Sequence, residues 1–221
     1  MSTIVLLNGT GSAGKSSIAR QLQALLDEPY LHLGMDAFYL EVCPPKYLFR
    51  MVEPGERAGE EPNGPESVLF LPAEEVGGAG TAIAVPPFGR RLISGMHHCV
   101  ATLAGLGNDL VVDHVLWEPD WLRECVRLWR DFAVLFVGVR CSLADAERRE
   151  LARADRSAKG VVRWQFDRVH AHGVYDLEVD TSAASPLECA LRIKQRLEGG
   201  PAPGAFKRLE RRFAAEHVAS G

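Results

Sequence analysis

The clearest chemical pattern in the chain lies near its N-terminus, in the stretch GTGSAGKS that starts at residue 9. It satisfies G-x-x-x-x-G-K-[ST], in which glycines let successive backbone N–H groups turn towards one point and a following helix adds its positive end. In such a loop Lys15 reaches the β- and γ-phosphates of a nucleotide, and the hydroxyl of Ser16 holds Mg²⁺. The residues expected to bind the nucleotide are Gly9, Thr10, Gly11, Ser12, Ala13, Gly14, Lys15, Ser16 and Ser17.

The segments on either side of this loop have the periodicities that such a site needs. Thr3–Asn8 is a short apolar run bounded by glycine, which is typical of a buried parallel strand. In Lys15–Leu26 the apolar residues recur at helical spacing. Strand, glycine loop and helix in this order are the context in which the motif indicates a phosphate site.

Two aspartates follow other strand candidates. Asp113 ends the apolar run in LVVDHV, where an aspartate of P-loop proteins binds Mg²⁺ through water, although a helix cap is the alternative. Asp36, in LGMDAFY, can accept the proton of an attacking hydroxyl, and it also suits the N-cap of a helix starting near Ala37. His114 could contact a substrate, but an incidental strand-end histidine is the favoured interpretation.

Four arginines lie in the stretch AERRELARADRS, namely Arg148, Arg149, Arg153 and Arg156. The last three recur at i, i+4 and i+7, which predicts that they share one helical face. Phosphoryl transfer spreads negative charge over the γ-phosphate oxygens, and arginines carried by a lid stabilise it. The alternative is a solvated face on which they pair with Glu147, Glu150 and Asp155. We favour the catalytic role because kinase lids follow the fourth strand of P-loop folds.

Alternating strand and helix patterns predict an α/β fold with a parallel sheet that is covered by helices on both faces. The strand candidates are Thr3–Asn8, Leu31–Gly34, Asp109–Val115, Ala133–Arg140 and Tyr175–Asp180. Residues 44 to 91 interrupt this order and are rich in proline and glycine. We interpret them as an insertion over the substrate side of the sheet, with a hairpin of Ser67–Leu71 and Thr81–Val85. A partly disordered excursion is the alternative. A helix over Leu92–Leu106 follows.

Two patterns near the fifth strand carry weaker predictions. Asp167, His170 and His172 could suggest a metal cluster, but histidines at i and i+2 face opposite sides of a helix. We therefore expect packing rather than ligation. Thr181 and Ser182 follow the strand, where a loop can line an adenine pocket.

The composition limits the partners that we expect. A chain of 221 residues can bury one sizeable core, and its net charge of −4 gives no electrostatic reason for a nucleic-acid or anionic-membrane partner. It has no apolar run near 18 residues and no basic N-terminal signal region. Five scattered cysteines predict reduced thiols rather than a zinc site or disulfide framework. These features favour a cytoplasmic protein.

Several stretches together resemble chloramphenicol phosphotransferase, an antibiotic-resistance kinase with a nucleotide-kinase-like P-loop fold. They are NGTGSAGKSS, LGMDAF, VGVRCSLADAERRELARADR and VHAHGVYDLEVDTSAASPLECA. The resemblance covers about residues 3–36 and 86–196. It implies a five-stranded parallel sheet of order 2-3-1-4-5. It also implies transfer of the γ-phosphate of ATP, with Mg²⁺, to a hydroxyl of a small molecule such as chloramphenicol.

The resemblance also assigns roles to individual residues. Lys15 and Ser16 take the phosphate and metal roles, and Asp36 matches the family's proposed base. The residues that match its lid-region arginines are Arg149, Arg153 and Arg156. His114 stands where the family has a second acidic residue. The segment Glu41–Pro86 is longer and differs in composition, so the reaction class transfers better than the identity of the acceptor.

We interpret residues 1–221 as a single P-loop kinase-like domain. It has an insertion at about 44–91, a lid at about 142–160, and a C-terminal linker and helix at about 199–221. The tail helix is expected to pack on the domain or to support a homodimer. A kinase for another antibiotic, a nucleoside or a metabolite stays an alternative. A non-catalytic nucleotide-binding regulator is less favoured, because GKS, Asp36 and Asp113 are intact and no N-K-x-D guanine motif occurs.

Overall fold

The computed structural model describes residues 2–53, 65–72, 80–153 and 158–219. In chain order the helices and strands are β1 (Thr3–Asn8), α1 (Lys15–Leu25), β2 (Tyr30–Gly34), α2 (Met35–Val42), β3 (Arg50–Met51), β4 (Leu69–Pro72), β5 (Thr81–Ala84), α3 (Pro87–Gly105), β6 (Asp109–His114), α4 (Pro119–Trp129), β7 (Ala133–Arg140), α5 (Leu143–Ala152), α6 (Val161–Phe166), β8 (Leu177–Asp180), α7 (Pro186–Gly199) and α8 (Ala205–Ala219). A single 3₁₀ turn, Pro45–Tyr47, follows α2.

The main sheet is parallel and has the order β2-β6-β1-β7-β8. This is the predicted order 2-3-1-4-5, which is thereby confirmed. The apolar residues of β1 are fully buried, because helices cover the sheet on both faces. On one face α1 and α7 contribute Ile18, Leu22 and Ile193 to the core, and on the other α3, α4 and α8 contribute Ile93, Trp129 and Leu209. The predicted α/β fold class is correct.

Several element boundaries differ by a few residues from the sequence predictions, and two of these differences have a clear physical reason. α3 begins at Pro87, five residues before the predicted Leu92, because proline is well suited to the first turn of a helix, where its missing N–H is not needed. β8 begins at Leu177 rather than Tyr175, since the side chain of Asp176 turns inwards. Its carboxylate accepts hydrogen bonds from the backbone N–H groups of Phe136 and Gly204.

The insertion folds into a second sheet of order β3-β4-β5. β4 and β5 pair antiparallel, with Leu69 opposite Ala84, so the predicted hairpin is confirmed. The parallel pairing of β3 with β4 was not predicted, because a strand of two exposed residues has no alternation to detect. A small core of Val52, Leu69, Leu71 and Ala82 packs against Trp164, which joins this sheet to α6, the helix that follows the lid.

The C-terminal helix α8 packs against α4. The ring of Phe206 stacks on that of Trp129, with ring centroids 6.3 Å apart, and Leu209 is fully buried. At the surface, Arg123 pairs with Glu216 and lies over the ring of Phe213. The predicted packing role is confirmed, and the homodimer stays a prediction. Among the described residues, no helix has both the length and the apolar character needed to cross a membrane.

Candidate active site

The phosphate loop ends at Gly14, whose backbone conformation leaves the first N–H groups of α1 uncapped. Gly14 has φ 88°, a left-handed conformation that suits glycine, and Ser12 also has a positive φ of 58°. No side chain caps α1, and its first turn contains no acidic residue. Its first N–H groups are therefore available to an anion, as the motif predicts.

Lys15 lies over this loop and is almost fully buried. Its Nζ donates hydrogen bonds to the carbonyl oxygens of Gly9, at 3.0 Å, and Thr10, at 2.7 Å. The hydroxyl oxygen of Ser12 is also buried, and it has no hydrogen-bond partner in the part of the chain that is described. A buried hydroxyl without a partner is costly, so a ligand oxygen at this loop would satisfy a group that the protein leaves unsatisfied.

Asp113 lies beside the loop at the end of β6 and is buried. Burial raises the pKa of its carboxyl group, but the hydrogen bond from His32, the charge of Lys15 and the hydroxyl of Ser16 outweigh this and hold the pKa below its ordinary value. The Nε2 atom of His32 is 2.8 Å from Oδ2. An ionised carboxylate and a neighbouring hydroxyl are the hard oxygen ligands that Mg²⁺ prefers, so this pair fits the predicted metal site.

Sequence reasoning missed His32. The signal was present, because His32 and Gly34 alternate onto one face of β2, and Gly34 pairs with Asp113 in register. Using it requires knowing that β2 lies beside β6, which the hydrophobic pattern alone does not give.

Asp36 is the second residue of α2, and Gly34 occupies the N-cap position. The N-cap role, which was the alternative for Asp36, is therefore wrong. Its helix starts two residues earlier than expected, because Gly34 already has extended backbone angles and Met35 is helical. Asp36 is an exposed residue, and it lines the cavity that also contains Lys15 and Ser16.

Two adjoining cavities meet at Asp36. The first, the phosphate cavity, includes Lys15, Ser16 and Asp113 in its lining. The second, the acceptor cavity, has an empty volume of about 1030 Å³ including its open mouth. Both are lined by Met35, Asp36, Val115 and Arg153. Groups bound in the two cavities would therefore approach each other beside these four shared residues.

The acceptor cavity is mainly apolar, and the insertion supplies much of its wall. The lining residues from this segment are Leu48, Phe49, Val68, Phe70, Ile83 and Val85. The rings of Phe49 and Phe70 meet edge to face, with centroids 5.7 Å apart. Polar side chains in the lining include Asp36, Arg153 and Gln165.

The lid arginines do not share one helical face. α5 ends at Ala152, and Arg153 has an extended backbone with ψ 116°, so that prediction is wrong. At this end of the helix, Lys159 donates hydrogen bonds to the carbonyl oxygens of Glu150 and Arg153. Arg153 nevertheless lines both cavities. Arg156 lies outside the described residues.

Arg149 lines the phosphate cavity from the first part of the lid. Its guanidinium donates to the hydroxyl of Thr181, at 3.0 Å, and to its carbonyl oxygen, at 2.8 Å. That hydroxyl in turn donates to the carbonyl oxygen of Ala13, at 2.9 Å. Arg149 therefore links the lid to the phosphate loop through Thr181, a residue that was expected to line the nucleotide site. Ser182 lies beside it and accepts a hydrogen bond from the backbone of Ser142.

Two of the three acids that were considered as surface partners for the lid arginines have other roles, and Asp155 lies outside the described residues. Glu150 is buried, and its carboxylate accepts hydrogen bonds from the N–H groups of Gly160, at 2.8 Å, and Val162, at 3.0 Å. It thereby caps α6. Glu147 pairs instead with Arg163, at 2.7 Å.

Three contacts fasten the lid to the insertion. The backbone N–H of Thr81 donates to the carbonyl oxygen of Gly160, at 3.1 Å. The hydroxyl of Thr81 donates to the carbonyl oxygen of Lys159, at 2.6 Å. Gly80 approaches so closely that a Cβ atom there would overlap the carbonyl oxygen of Gly160. The acceptor wall and the base of the lid are therefore one hydrogen-bonded unit.

His114 is buried behind the site. Among the described residues that line the phosphate cavity and the acceptor cavity, His114 does not occur. Its Nε2 lies 2.9 Å from Nε2 of His97, whose Nδ1 lies 2.6 Å from a carboxylate oxygen of Glu124. Burial lowers the pKa of His114 well below its ordinary value, and the hydrogen bond from His97 lowers the pKa of Glu124 to about 2. The incidental interpretation of His114 therefore agrees with its position.

His170 and His172 do not lie on a helix. Residues 167–172 form turns, so the expected opposite orientation is wrong, and both rings lie against Tyr175. The hydroxyl of Tyr175 accepts from Nδ2 of Asn8, at 2.8 Å, and lies 2.6 Å from Nδ1 of His170. Burial lowers the pKa of His170 to about 3 and that of His172 to about 4. These rings are neutral and support Asn8, the residue that leads into the phosphate loop, as packing residues do.

Comparison with known proteins agrees with this geometry. A family model of chloramphenicol phosphotransferase-like proteins matches residues 2–198. The chain belongs to this family. A protein of Mycobacterium tuberculosis (strain H37Rv) that carries the provisional name O-phosphotransferase is 31% identical to this family member over 211 residues, which cover 95% of this chain and 88% of that protein. The chain is accordingly a phosphotransferase of the kinase type.

Solved structures of two kinases and of an antibiotic-resistance protein share the fold of this chloramphenicol phosphotransferase-like protein. The Mycobacterium tuberculosis APS kinase in complex with AMPPNP and APS superimposes with a TM-score of 0.59 at 16% identity, over 90% of this chain and 98% of that chain. The Acinetobacter baumannii shikimate kinase in complex with shikimate gives 0.51 at 13%, over 89% and 93%. The Deinococcus radiodurans tunicamycin resistance protein gives 0.56 at 15%, over 90% and 96%. The predicted P-loop kinase fold is confirmed.

Proposed function

We propose that this phosphotransferase moves the γ-phosphate of ATP to a hydroxyl group of a small, largely apolar molecule, with Asp36 as the general base. The observation that carries the proposal is that Asp36 lines both the phosphate cavity and the acceptor cavity. A general base must lie within reach of the hydroxyl that attacks, and this boundary is where hydroxyl and γ-phosphate would meet.

The phosphate cavity would bind and orient the nucleotide. The open N–H groups of α1 and the ammonium of Lys15 are donors for the phosphate oxygens, and Arg149 and Arg153 add positive charge from the lid. Ser16 and Asp113 would hold Mg²⁺, which when bound neutralises charge on the β- and γ-phosphates. In each case the chain's own groups position charge before the reaction begins.

At the acceptor end, Asp36 would accept the proton of the hydroxyl as its oxygen attacks the γ-phosphorus. The bond between that phosphorus and the bridging oxygen breaks, and ADP leaves with the electron pair. Arg153, which lines both cavities, would stabilise the charge on the transferring group. The apolar wall excludes water, which would otherwise compete with the acceptor hydroxyl.

The acceptor cavity favours an apolar molecule over a sugar. Each sugar hydroxyl that is desolvated without a partner costs about 1–3 kcal/mol, and a wall of aliphatic and aromatic side chains offers few partners. A hydroxylated antibiotic such as chloramphenicol fits this description and gives the family its name. Phosphorylation of such a compound would make the protein a resistance enzyme.

The direct test measures ADP release by the purified protein with Mg-ATP against a panel of acceptors. Chloramphenicol comes first, followed by other hydroxylated antibiotics, nucleosides and sugars, with mass spectrometry to detect the gain of one phosphate. Phosphorylation of an apolar alcohol is the expected result. Selective phosphorylation of sugars would contradict the acceptor class, and nucleotide binding without any acceptor-dependent turnover would contradict the proposal as a whole.

Replacement of the base tests the mechanism. Asp36→Asn keeps the size of the side chain but cannot accept the proton, so kcat is expected to fall by about 10²–10⁴-fold. Asp120→Asn is a matched control, since Asp120 is an exposed aspartate at the same second position of its helix, α4. Thermal stabilisation by ADP should be equal in both variants. Near-normal turnover by Asp36→Asn would remove the assignment of the base.

A further inference from the structure

Gln165 on α6 lies between the two halves of the site. Its side chain is almost fully buried, and it lines the acceptor cavity together with Asp36 and Arg153. Its Oε1 accepts a hydrogen bond of 2.8 Å from the backbone N–H of Gly11, in the phosphate loop. Because an N–H group needs an acceptor, this contact fixes the orientation of the amide, and the NH₂ group must face away from the loop.

The NH₂ group of Gln165 has two N–H donors. Within the part of the chain that the structure describes, neither donor has a hydrogen-bond partner, and the nitrogen is not among the fully enclosed atoms. The open space beside this side chain is the acceptor cavity. A donor pair in a mainly apolar cavity is a strong recognition point, because a ligand oxygen there meets little competition from water.

The segment that carries Gln165 is held from three directions. Glu150 caps the start of α6 through the N–H groups of Gly160 and Val162. Thr81 of the acceptor wall bonds to the carbonyl oxygen of Gly160. The bond from Gly11 fastens the far end of the amide. A side chain supported in this way is pre-organised, so little conformational entropy is lost when it binds a ligand.

We propose that Gln165 is a specificity-determining residue of the acceptor site. Its NH₂ group donates to an oxygen of the acceptor other than the reacting hydroxyl, such as a carbonyl, nitro or second hydroxyl oxygen. The acceptor class is then an apolar molecule with two oxygen functions, one directed to Asp36 and one to Gln165. This inference rests on the proposed function and adds a second point of recognition to it.

The test uses two substitutions that separate the two ends of the amide. Gln165→Glu keeps an oxygen for the N–H of Gly11 but removes the donors, whereas Gln165→Met removes both at similar volume. For Gln165→Glu we expect kcat/KM for the acceptor to fall about 10- to 100-fold, as for one lost hydrogen bond, with KM for ATP unchanged within about twofold. Gln165→Met should also raise KM for ATP, because the phosphate loop loses its contact.

The probe is chloramphenicol, or whichever panel compound the wild-type protein phosphorylates best, with analogues in which each non-reacting oxygen is replaced by hydrogen. One analogue should be a poor substrate for the wild type yet suffer no further loss with Gln165→Glu, as in a double-mutant cycle. A purely electrostatic effect of the new carboxylate would reduce the rate equally for every analogue and would overturn the proposal. Gln195→Glu, at an exposed glutamine of α7, controls for added charge.

The outcomes for the inference and for the proposed function are distinct. Wild-type turnover with unchanged acceptor kinetics in Gln165→Glu overturns only the role of Gln165, and an effect confined to ATP would mean that the side chain merely supports Gly11. Absence of wild-type turnover for all acceptors overturns both.

Discussion

The phosphate cavity and the acceptor cavity share Asp36 and Arg153, but they are constructed differently. The phosphate cavity depends on backbone N–H groups and polar side chains, of which Ser12, Lys15, Ser16 and Ser17 come from the contiguous residues 9–17. The acceptor cavity depends on apolar side chains that come from α2, the insertion, α3 and the lid. The reaction therefore depends on individual polar groups, whereas the choice of acceptor depends on the total apolar surface of the cavity wall.

This difference predicts two kinds of sensitivity. In the phosphate cavity, the loss of one charge or hydrogen-bond donor removes an interaction that stabilises the transition state, so the rate should fall strongly. In the acceptor cavity one lost side chain removes only its share of buried area, worth about 25 cal/mol per Å². The predictions below test this contrast.

The largest effect is expected at Lys15. Lys15→Ala removes the ammonium that lies over the loop, so kcat/KM for ATP should fall by at least about 10³-fold, or about 4 kcal/mol. Steady-state kinetics would measure the loss, and an unchanged urea unfolding transition would show that the fold is intact. Lys207→Ala, at an exposed lysine of α8, is the control. Turnover comparable to that of the control would mean that the loop does not bind the reacting phosphates.

A smaller effect is expected at Phe49 in the acceptor wall. Phe49→Ala should raise KM for the acceptor by about 5- to 30-fold, equivalent to about 1–2 kcal/mol of lost apolar contact, and leave KM for ATP unchanged. Met51→Ala is the matched control, since Met51 is an exposed apolar residue two positions away in β3, and it is not among the residues assigned to the cavity. Equal changes in KM for the acceptor in both variants would show that apolar contact with the cavity wall does not contribute to acceptor binding.

The fold should lose stability in acid through its buried histidines before its paired carboxylates protonate, and His114, whose pKa burial also lowers, contributes together with His170 and His172. His170 and His172 have pKa values of about 3 and 4 in the folded protein against 6.5 ordinarily, so the unfolded chain binds more protons below pH 6.5. Stability is then complete above pH 6.5 and falls as the pH approaches 4. Glu124, behind the acceptor side, has a pKa of about 2 against 4.5, so its contribution is lost only below about pH 4.5.

Urea unfolding at pH 7.5 and pH 5.5 measures this difference. The free energy of unfolding should be about 1–2 kcal/mol lower at pH 5.5, after allowance for partial solvent exposure of the two rings. The double variant His170→Gln/His172→Gln should reduce the dependence, while His98→Gln, at an exposed histidine of α3, should not. An equally steep dependence in the double variant would assign the acid sensitivity to other groups.

The same contrast explains what the sequence could predict. The strands of the main sheet, their order and the phosphate loop were predicted, since each is a local pattern or belongs to the resemblance to the phosphotransferase family. His32 and Asp113 are 81 positions apart in the sequence, and Gln165 and Gly11 are 154 positions apart. No local pattern indicates the contacts between them. The end of α5 was also missed, because Lys159 completes it from beyond the helix.

The hydrogen bonds that join Thr81 to Lys159 and Gly160 limit how this enzyme can be altered. An insertion exchanged from a relative to change the acceptor would have to match the lid at Gly80 and Gly160, where no side chain fits between the two backbones. Changes in the insertion, which alter the range of acceptors, are therefore expected to occur together with changes in the lid, which contacts the nucleotide site, among related proteins. A successful chimaera would transplant both segments as a single module.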